Sequence, residues 1–274
     1  VALGVLAGDY PAEADTRLWR DIILLNQFHD ILPGSSIAEV YDVTKGEYEA
    51  LAQEVSGLIR QRLDALAGSG EGVTVFNTLG FDRDDVVTLG TCAAEALEDD
   101  SGRRYPVQQT ADGAVAYLRG IPAKGYVTLK KTAGAAASPF RRTDDHHLET
   151  PFYSVVLDEA GRFVSIYDKE YARELLLPGR KGNALRVYED KPIYYDNWDI
   201  DRYYTEKSWD VDELTGLCWI EDGPVRTTLE LRYGFCGCTF RQKIHFYADT
   251  RRIDFETTVD WKLHQHLLKA EFPV

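Results

Sequence analysis

Residues 26–37, NQFHDILPGSSI, separate two helical patterns and set how the first part of the chain is arranged. Upstream, Leu18, Ile22, Leu25 and His29 follow at steps of four, three and four, the spacing of one helix face. A helix is therefore expected over residues 15–32, with Asp15 or Thr16 as its cap. Pro33-Gly34 breaks it, and Ser36 followed by Glu39 has the form of a capping box that opens the next helix. So short a connection predicts an antiparallel helical hairpin with His29 and Asp30 near its mouth. Periodicity by itself leaves His29 as a packed core histidine, because imidazoles often pack without binding metal.

The second helix is expected from residue 37 to about residue 66. Ile37, Tyr41, Thr44, Tyr48, Leu51, Val55 and Leu58 form a narrow seam at alternating steps of four and three, as in a helix packed on helices. Such a length of seam needs more than one partner, which points to a three-helix bundle whose remaining helix lies upstream. From Val73 the pattern changes to short strands, VTVFN, DVVTL, RYPVQQ, AVAYL and GYVTLK, parted by turns at residues 99–102 and at Asp112-Gly113. AGAAASP, residues 133–139, reads as linker. SVVLDEAGRFVSIYD reads as a hairpin, and residues 227–233, 240–247 and 253–261 alternate strongly, as in a large antiparallel sandwich. The fold class is thus α+β, mainly β. Its expected divisions are a helical segment over 1–69, a small β unit with linker over 70–139, and the first part of a large sandwich over 140–274.

Composition is that of an ordinary globular protein, with 44% hydrophobic and 28% charged residues. A net charge of −14 argues against nucleic acid and anionic membrane surfaces as partners. VALGVLAG at the start is far short of a membrane span and lacks the basic flank of a signal peptide. Cys92, Cys218, Cys236 and Cys238 show no disulfide framework, which favours a reducing, cytoplasmic setting. The 274 residues contain no methionine, even at position 1, so the chain reads as a piece of a longer protein.

NQFHDILPGSSIAEVY resembles the signature of glycoside hydrolase family 38, the class II α-mannosidases. VFNTLGFDR, the run EDKPIYYDNWDIDRYYTEK, FRQKIHFYADTRRIDFETTVDW and HLLKAEFPV are similar to the bacterial and cytosolic branch of that family. The resemblance implies a helical bundle followed by β domains, the larger a supersandwich similar to that of galactose mutarotase. It also implies retaining, metal-dependent hydrolysis of α-mannosides, by two carboxylates about 5 Å apart. On this resemblance His29 is one ligand of a divalent zinc or cobalt ion, and Asp30 touches the sugar. The nucleophile, the acid/base and the other metal ligands belong to an N-terminal domain that precedes the helices in the family. The chain alone is therefore expected to be inactive and to hold no metal, since zinc sites use three or four protein ligands.

Residues 194–201, YYDNWDID, form a second cluster. Carboxylates accept hydrogen bonds from sugar hydroxyls and an indole face stacks on a pyranose, so Asp196, Trp198 and Asp199 are candidate substrate contacts. The bland alternative is a solvated loop with an aromatic anchor. His264-x-His266, His146-His147 and Cys236-x-Cys238 lack a third ligand and read as structural or surface features. The expected partner is an α-mannoside oligosaccharide, with self-association left open. The alternatives from other classes are a non-catalytic carbohydrate-binding β-sandwich and a purely structural scaffold.

Overall fold

The computed structural model describes residues 2–8, 10, 13–196 and 198–274, apart from the side chains of residues 14 and 15. The chain divides into two compact units, one of residues 1–83, 120–128 and 192–200, the other of residues 84–119, 129–191 and 201–274.

The first unit holds helices α1 (Ala2–Ala7), α2 (Glu13–Asn26) and α3 (Ala38–Ala67). α2 and α3 are antiparallel, as their cross-links require. Trp19 Nε1 donates to Glu54 at 3.2 Å, and one helix end later Asn26 Nδ2 donates to Glu47 at 2.8 Å. Asn26 is buried at this end. Its amide also bonds the Ile22 carbonyl at 2.9 Å, and its Oδ1 accepts from the Thr44 hydroxyl at 2.6 Å. α1 packs on α3 as a third, six-residue helix. The seam on α3 faces inward only in part: Leu51 is buried, whereas Ile37 and Tyr48 are exposed. Strand β1 (Val73–Asn77) follows, and the buried Asn77 amide donates to the carbonyls of Phe81 and Ile121 at 2.8 and 3.1 Å.

Two expectations at the hairpin are corrected. α2 stops at Asn26 rather than at residue 32, because the Asn26 side chain competes for the Ile22 carbonyl and Pro33 disfavours helix just before it. It starts at Glu13, ahead of the expected caps, and the Thr16 hydroxyl bonds back to the Glu13 carbonyl at 3.0 Å. The Ser36–Glu39 capping box does not form. The N-cap of α3 is Ile37, without a side-chain bond, and the Ser36 N–H donates to the Tyr41 hydroxyl at 2.9 Å.

Strands β2 (Arg83–Thr88), β3 (Ala96–Glu98), β4 (Arg104–Thr110), β5 (Gly113–Ile121) and β6 (Gly125–Thr132) come next. Within the second unit β3 pairs antiparallel with β4, through Glu98↔Arg104, and with β6, through Ala96↔Thr132, and β4 pairs with β5. The short β3 has no alternation of its own to announce it. Strands β7 (Arg141–Asp144), β8 (His147–Glu149), β9 (Tyr153–Leu157), β10 (Phe163–Asp168) and β11 (Arg173–Glu174) make a five-stranded sheet in the order β11-β10-β9-β8-β7. β12 (Ala184–Glu189) lies between β13 (Ser208–Asp210) and β18 (His266–Glu271). β14 (Glu213–Asp222), β15 (Arg226–Phe235), β16 (Cys238–Tyr247) and β17 (Ile253–Asp260) form a four-stranded meander in chain order.

The inward faces of these sheets share one core containing Val155, Phe163, Val187, Leu229, Leu231, Ile244 and Phe246. Phe163 of β10 meets Phe246 of β16 edge-on at 6.3 Å and Phe255 of β17 at 6.0 Å, the T-shaped geometry that aromatic quadrupoles favour. The hairpin turn at residues 158–162 sits against this core. Gly161 has φ +73°, its N–H bonds the Asp158 carbonyl at 2.9 Å, and Asp158 Oδ1 accepts from the Ala160 and Arg162 N–H groups. A Cβ on Gly161 would lie 2.9 Å from Leu231 Cδ2 and 3.0 Å from the Tyr233 hydroxyl, so glycine is required by space as well as by φ. Residues 99–103 repeat the pattern: Gly102 has φ +81°, its N–H bonds the Asp99 carbonyl at 3.0 Å, and Asp99 Oδ1 accepts from the Ser101 and Arg103 N–H groups. Cys236 and Gly237, both at positive φ, form the two-residue turn between β15 and β16, so Cys236 lies in a turn and shares no strand face with Cys238.

Candidate functional site

Every candidate residue for sugar or metal lies in the first unit. After α2 ends, the chain makes successive turns: the N–H groups of Ile31 and Leu32 both bond the Phe28 carbonyl, at 2.9 and 3.1 Å, and Gly34 closes on Ile31 at 3.1 Å with φ +84°. These turns are tied down from α3. The Tyr41 hydroxyl lies 3.4 and 3.3 Å from the carbonyls of Asp30 and Ile31, and the Ser35 hydroxyl donates to the Asp30 carbonyl at 3.3 Å. The backbone of the His-Asp pair is thus fixed while its side chains are left to solvent.

His29 has 65% of its side chain exposed and Asp30 48%, with His29 Nε2 3.6 Å from Asp30 Oδ2. The expectation of a packed core histidine is overturned: the helix ends before His29, and Leu18 and Leu25 of the stripe that led to it are themselves exposed. Phe28 lies against the imidazole, ring centroids 4.1 Å apart. From residues 192–200, the Trp198 ring approaches His29 at 6.1 Å with a 66° interplanar angle, an edge contact that leaves Trp198 51% exposed.

Trp198 sits on a tight turn in which its N–H and that of Asp199 both bond the Tyr195 carbonyl, at 2.8 and 3.0 Å, and Tyr195 has φ +57°. Asp196 and Asp199 are exposed on this turn and make no ion pair among the described residues. Asn197, at the centre of the cluster, lies outside the described residues. Tyr194 and Tyr195 are also exposed, with ring centroids 6.3 Å apart. The structure therefore joins His29, Asp30 and Trp198 and leaves Asp196 and Asp199 as open carboxylates on the same loop. Sequence reasoning missed Phe28 and the Tyr41–Ser35 tether. Their signal was present, since Phe28 adjoins His29 and Tyr41 lies on the seam of α3.

No group of three or more His, Cys, Asp or Glu side chains is arranged to hold a metal among the described residues. One imidazole and one carboxylate fall short of the three or four protein ligands of a zinc site, so these residues do not complete a coordination shell by themselves. The other histidine pairs are engaged elsewhere: His147 Nδ1 is 2.8 Å from Asp144, and His266 Nδ1 is 2.6 Å from the His264 carbonyl. No helix among the described residues is long and apolar enough to cross a membrane.

Comparison with known proteins gives this geometry a family. The model of the alpha mannosidase middle domain matches residues 3–66, and that of the glycosyl hydrolases family 38 C-terminal domain matches residues 148–274. Alpha-mannosidase G of Dictyostelium discoideum is 24% identical over 304 residues, covering 93% of this chain and 27% of that protein. Human Alpha-mannosidase 2C1 is 27% identical over 272 residues, covering 96% of this chain and 25% of that protein. The chain thus spans about a quarter of the length of the curated relatives it matches. Among solved structures, an alpha-mannosidase from Enterococcus faecalis V583 superposes with a TM-score of 0.73 over 99% of this chain and 40% of its own; at 15% identity that likeness speaks for the fold. With the helical hairpin matched to the middle domain and the later strands to the C-terminal domain, in that order, the chain belongs to the family 38 glycosyl hydrolases.

Proposed function

We propose that this chain is part of an α-mannosidase, to which it supplies His29 as one ligand of a divalent metal and Asp30 as an acceptor for sugar hydroxyls. The observation that carries this is the exposure of His29 and Asp30 together on a tethered turn. A packed structural histidine needs no such display. Trp198, edge-on to His29, offers an apolar flank that limits where an imidazole ring can rotate, and its free face suits the C–H face of a pyranose. Asp196 and Asp199 on the same loop are further hydroxyl acceptors. The nucleophile, the acid/base and the remaining ligands are assigned to residues outside this chain, in keeping with its share of its relatives' length. On that basis the chain alone hydrolyses no mannoside and retains no metal through His29. A retaining course, dependence on zinc or cobalt, and a cytoplasmic setting complete the proposal.

The test compares the complete enzyme with its His29→Ala variant on a chromogenic α-mannoside, with zinc or cobalt added. A ligand lost from a catalytic metal is expected to remove activity by at least about a hundredfold. Circular dichroism should stay unchanged, because the side chain is mostly exposed. Equal activity in the two proteins would sink the assignment. Binding of free mannose by the chain alone, with no hydrolysis by the complete protein, would instead favour the carbohydrate-binding module.

A further inference from the structure

The second unit carries a charged cleft of about 480 Å³ that plays no part in the site above. Four cations line it, Arg162, Arg180, Lys181 and Arg186, against two carboxylates, Asp210 and Glu271. Asp158 faces Arg162 and Lys181 as well, so the four cations exceed the surrounding carboxylates by one, in a chain whose net charge is −14.

Most of the cations are held in place by carboxylates. Asp158 takes Arg162 Nε at 2.9 Å and Lys181 Nζ at 2.7 Å, and Asp210 takes Arg186 Nε at 2.8 Å. These bonds use only part of each fork. Arg162 Nη1 is 3.7 Å from Asp210 and Arg186 Nη1 is 3.5 Å from Glu271, both longer than an N–H···O hydrogen bond. Arg186 also meets the Tyr188 hydroxyl, but terminal guanidinium donors remain on Arg162, in a geometry already fixed by its Nε anchor. Arg180 differs. It follows Gly179, at φ +71°, in a turn closed by its own N–H on the Leu177 carbonyl at 3.0 Å. It is exposed and makes no ion pair among the described residues.

We propose that this cleft binds a small tetrahedral oxyanion, phosphate or sulfate, free or carried as a monoester on a sugar. Planar guanidinium forks match the paired oxygens of such an anion, and Lys181 adds a point charge. The volume falls within the range of small-ligand sites. Asp158 and Asp210 orient the forks, and with Glu271 they lower the affinity for a lone anion. The inference is independent of any role for His29.

The experiment titrates the full chain with inorganic phosphate by calorimetry, against sodium chloride at matched ionic strength. Saturable binding that chloride does not reproduce is expected. Arg180→Ala is expected to weaken it about tenfold, and Arg180→Glu to abolish it. Both substitutions are at an exposed residue, so the fold is preserved, as circular dichroism would verify. A hexose 6-phosphate binding more tightly than phosphate would identify the monoester, and equal affinity would identify the free ion. Heats equal to those of chloride, unchanged affinity in the Arg180 variants, or equally tight binding of neutral hexose would each overturn the proposal.

Discussion

Gly161→Ala is expected to destabilise the chain far more than the same change at Gly237, although both glycines occupy left-handed turn positions in the second unit. Placing a Cβ at positive φ costs about 1–2 kcal/mol at either site. At Gly237, φ +81°, nothing lies within 4 Å of the added methyl, so the cost ends there. At Gly161 the methyl lies 2.9 and 3.1 Å from the two methyls of Leu231, which is fully buried, and 3.0 Å from the Tyr233 hydroxyl. Overpacking of this kind costs about 1–3 kcal/mol. Moving Tyr233 aside also strains its 3.0 Å bond to the Ala160 carbonyl, worth about 1 kcal/mol. The sum is about 3–6 kcal/mol at Gly161 against about 1–2 at Gly237. Urea unfolding followed by far-ultraviolet circular dichroism reads both from the shift in midpoint. Adding Leu231→Ala to Gly161→Ala makes room for the methyl, so the double variant should lose less than the two single losses added together. Equal losses at Gly161 and Gly237 would refute the close-approach explanation.

Asn26→Ala removes two bonds that join α2 to α3 and a third to the Ile22 carbonyl within α2, and should cost about 1–3 kcal/mol, with faster proteolysis at residues 27–35 as the specific sign. Glu221 accepts Arg226 Nε at 2.6 Å and the Thr228 hydroxyl at 2.6 Å, with Glu221 and Arg226 side chains only 10% and 12% exposed. Glu221→Ala strands the guanidinium and is expected to cost about 3–5 kcal/mol by denaturant unfolding. The Asp99 carboxyl is held down to about 2, first by the Ser101 hydroxyl and then by the Tyr105 hydroxyl. An unfolded aspartate titrates near about 3.9, so the stabilisation from Asp99 is complete above that pH and lost as pH falls through about 2. Asp99→Asn should therefore flatten the stability profile between those values and leave its slope near neutrality unchanged.

How much of this was legible varied with the physics of each element. α3, the β9–β10 hairpin and strands β15 to β17 were read from periodicity, because burial on one face writes a regular pattern into the residues. The end of α2 was not, since the three-four spacing runs on past Asn26 to His29 while the side chain of Asn26 stops the helix. β14 escaped for a related reason. Its pairing with β15 shifts register between Leu214 and Gly216 and again between Trp219 and Glu221, and each bulge resets the alternation. For the site, chemistry and resemblance together singled out His29, Asp30 and Trp198. That Trp198 meets His29 edge-on was hidden, because the contact joins residues far apart in the chain. The oxyanion cleft draws on four separate stretches and has no local signature at all.

The sparse interior of the helical hairpin carries a kinetic consequence. Leu3 and Leu51 are the only apolar side chains buried in α1 to α3 among the described residues, whereas β15 and β16 bury Leu229, Leu231, Ile244 and Phe246. Local opening costs least where little apolar surface must be rewetted. Amide protons of α3 should therefore exchange with solvent deuterium by frequent sub-global openings, hours before those of β15 and β16, which wait for complete unfolding. The turn bearing His29 and Asp30 is thus built into the segment that breathes most readily.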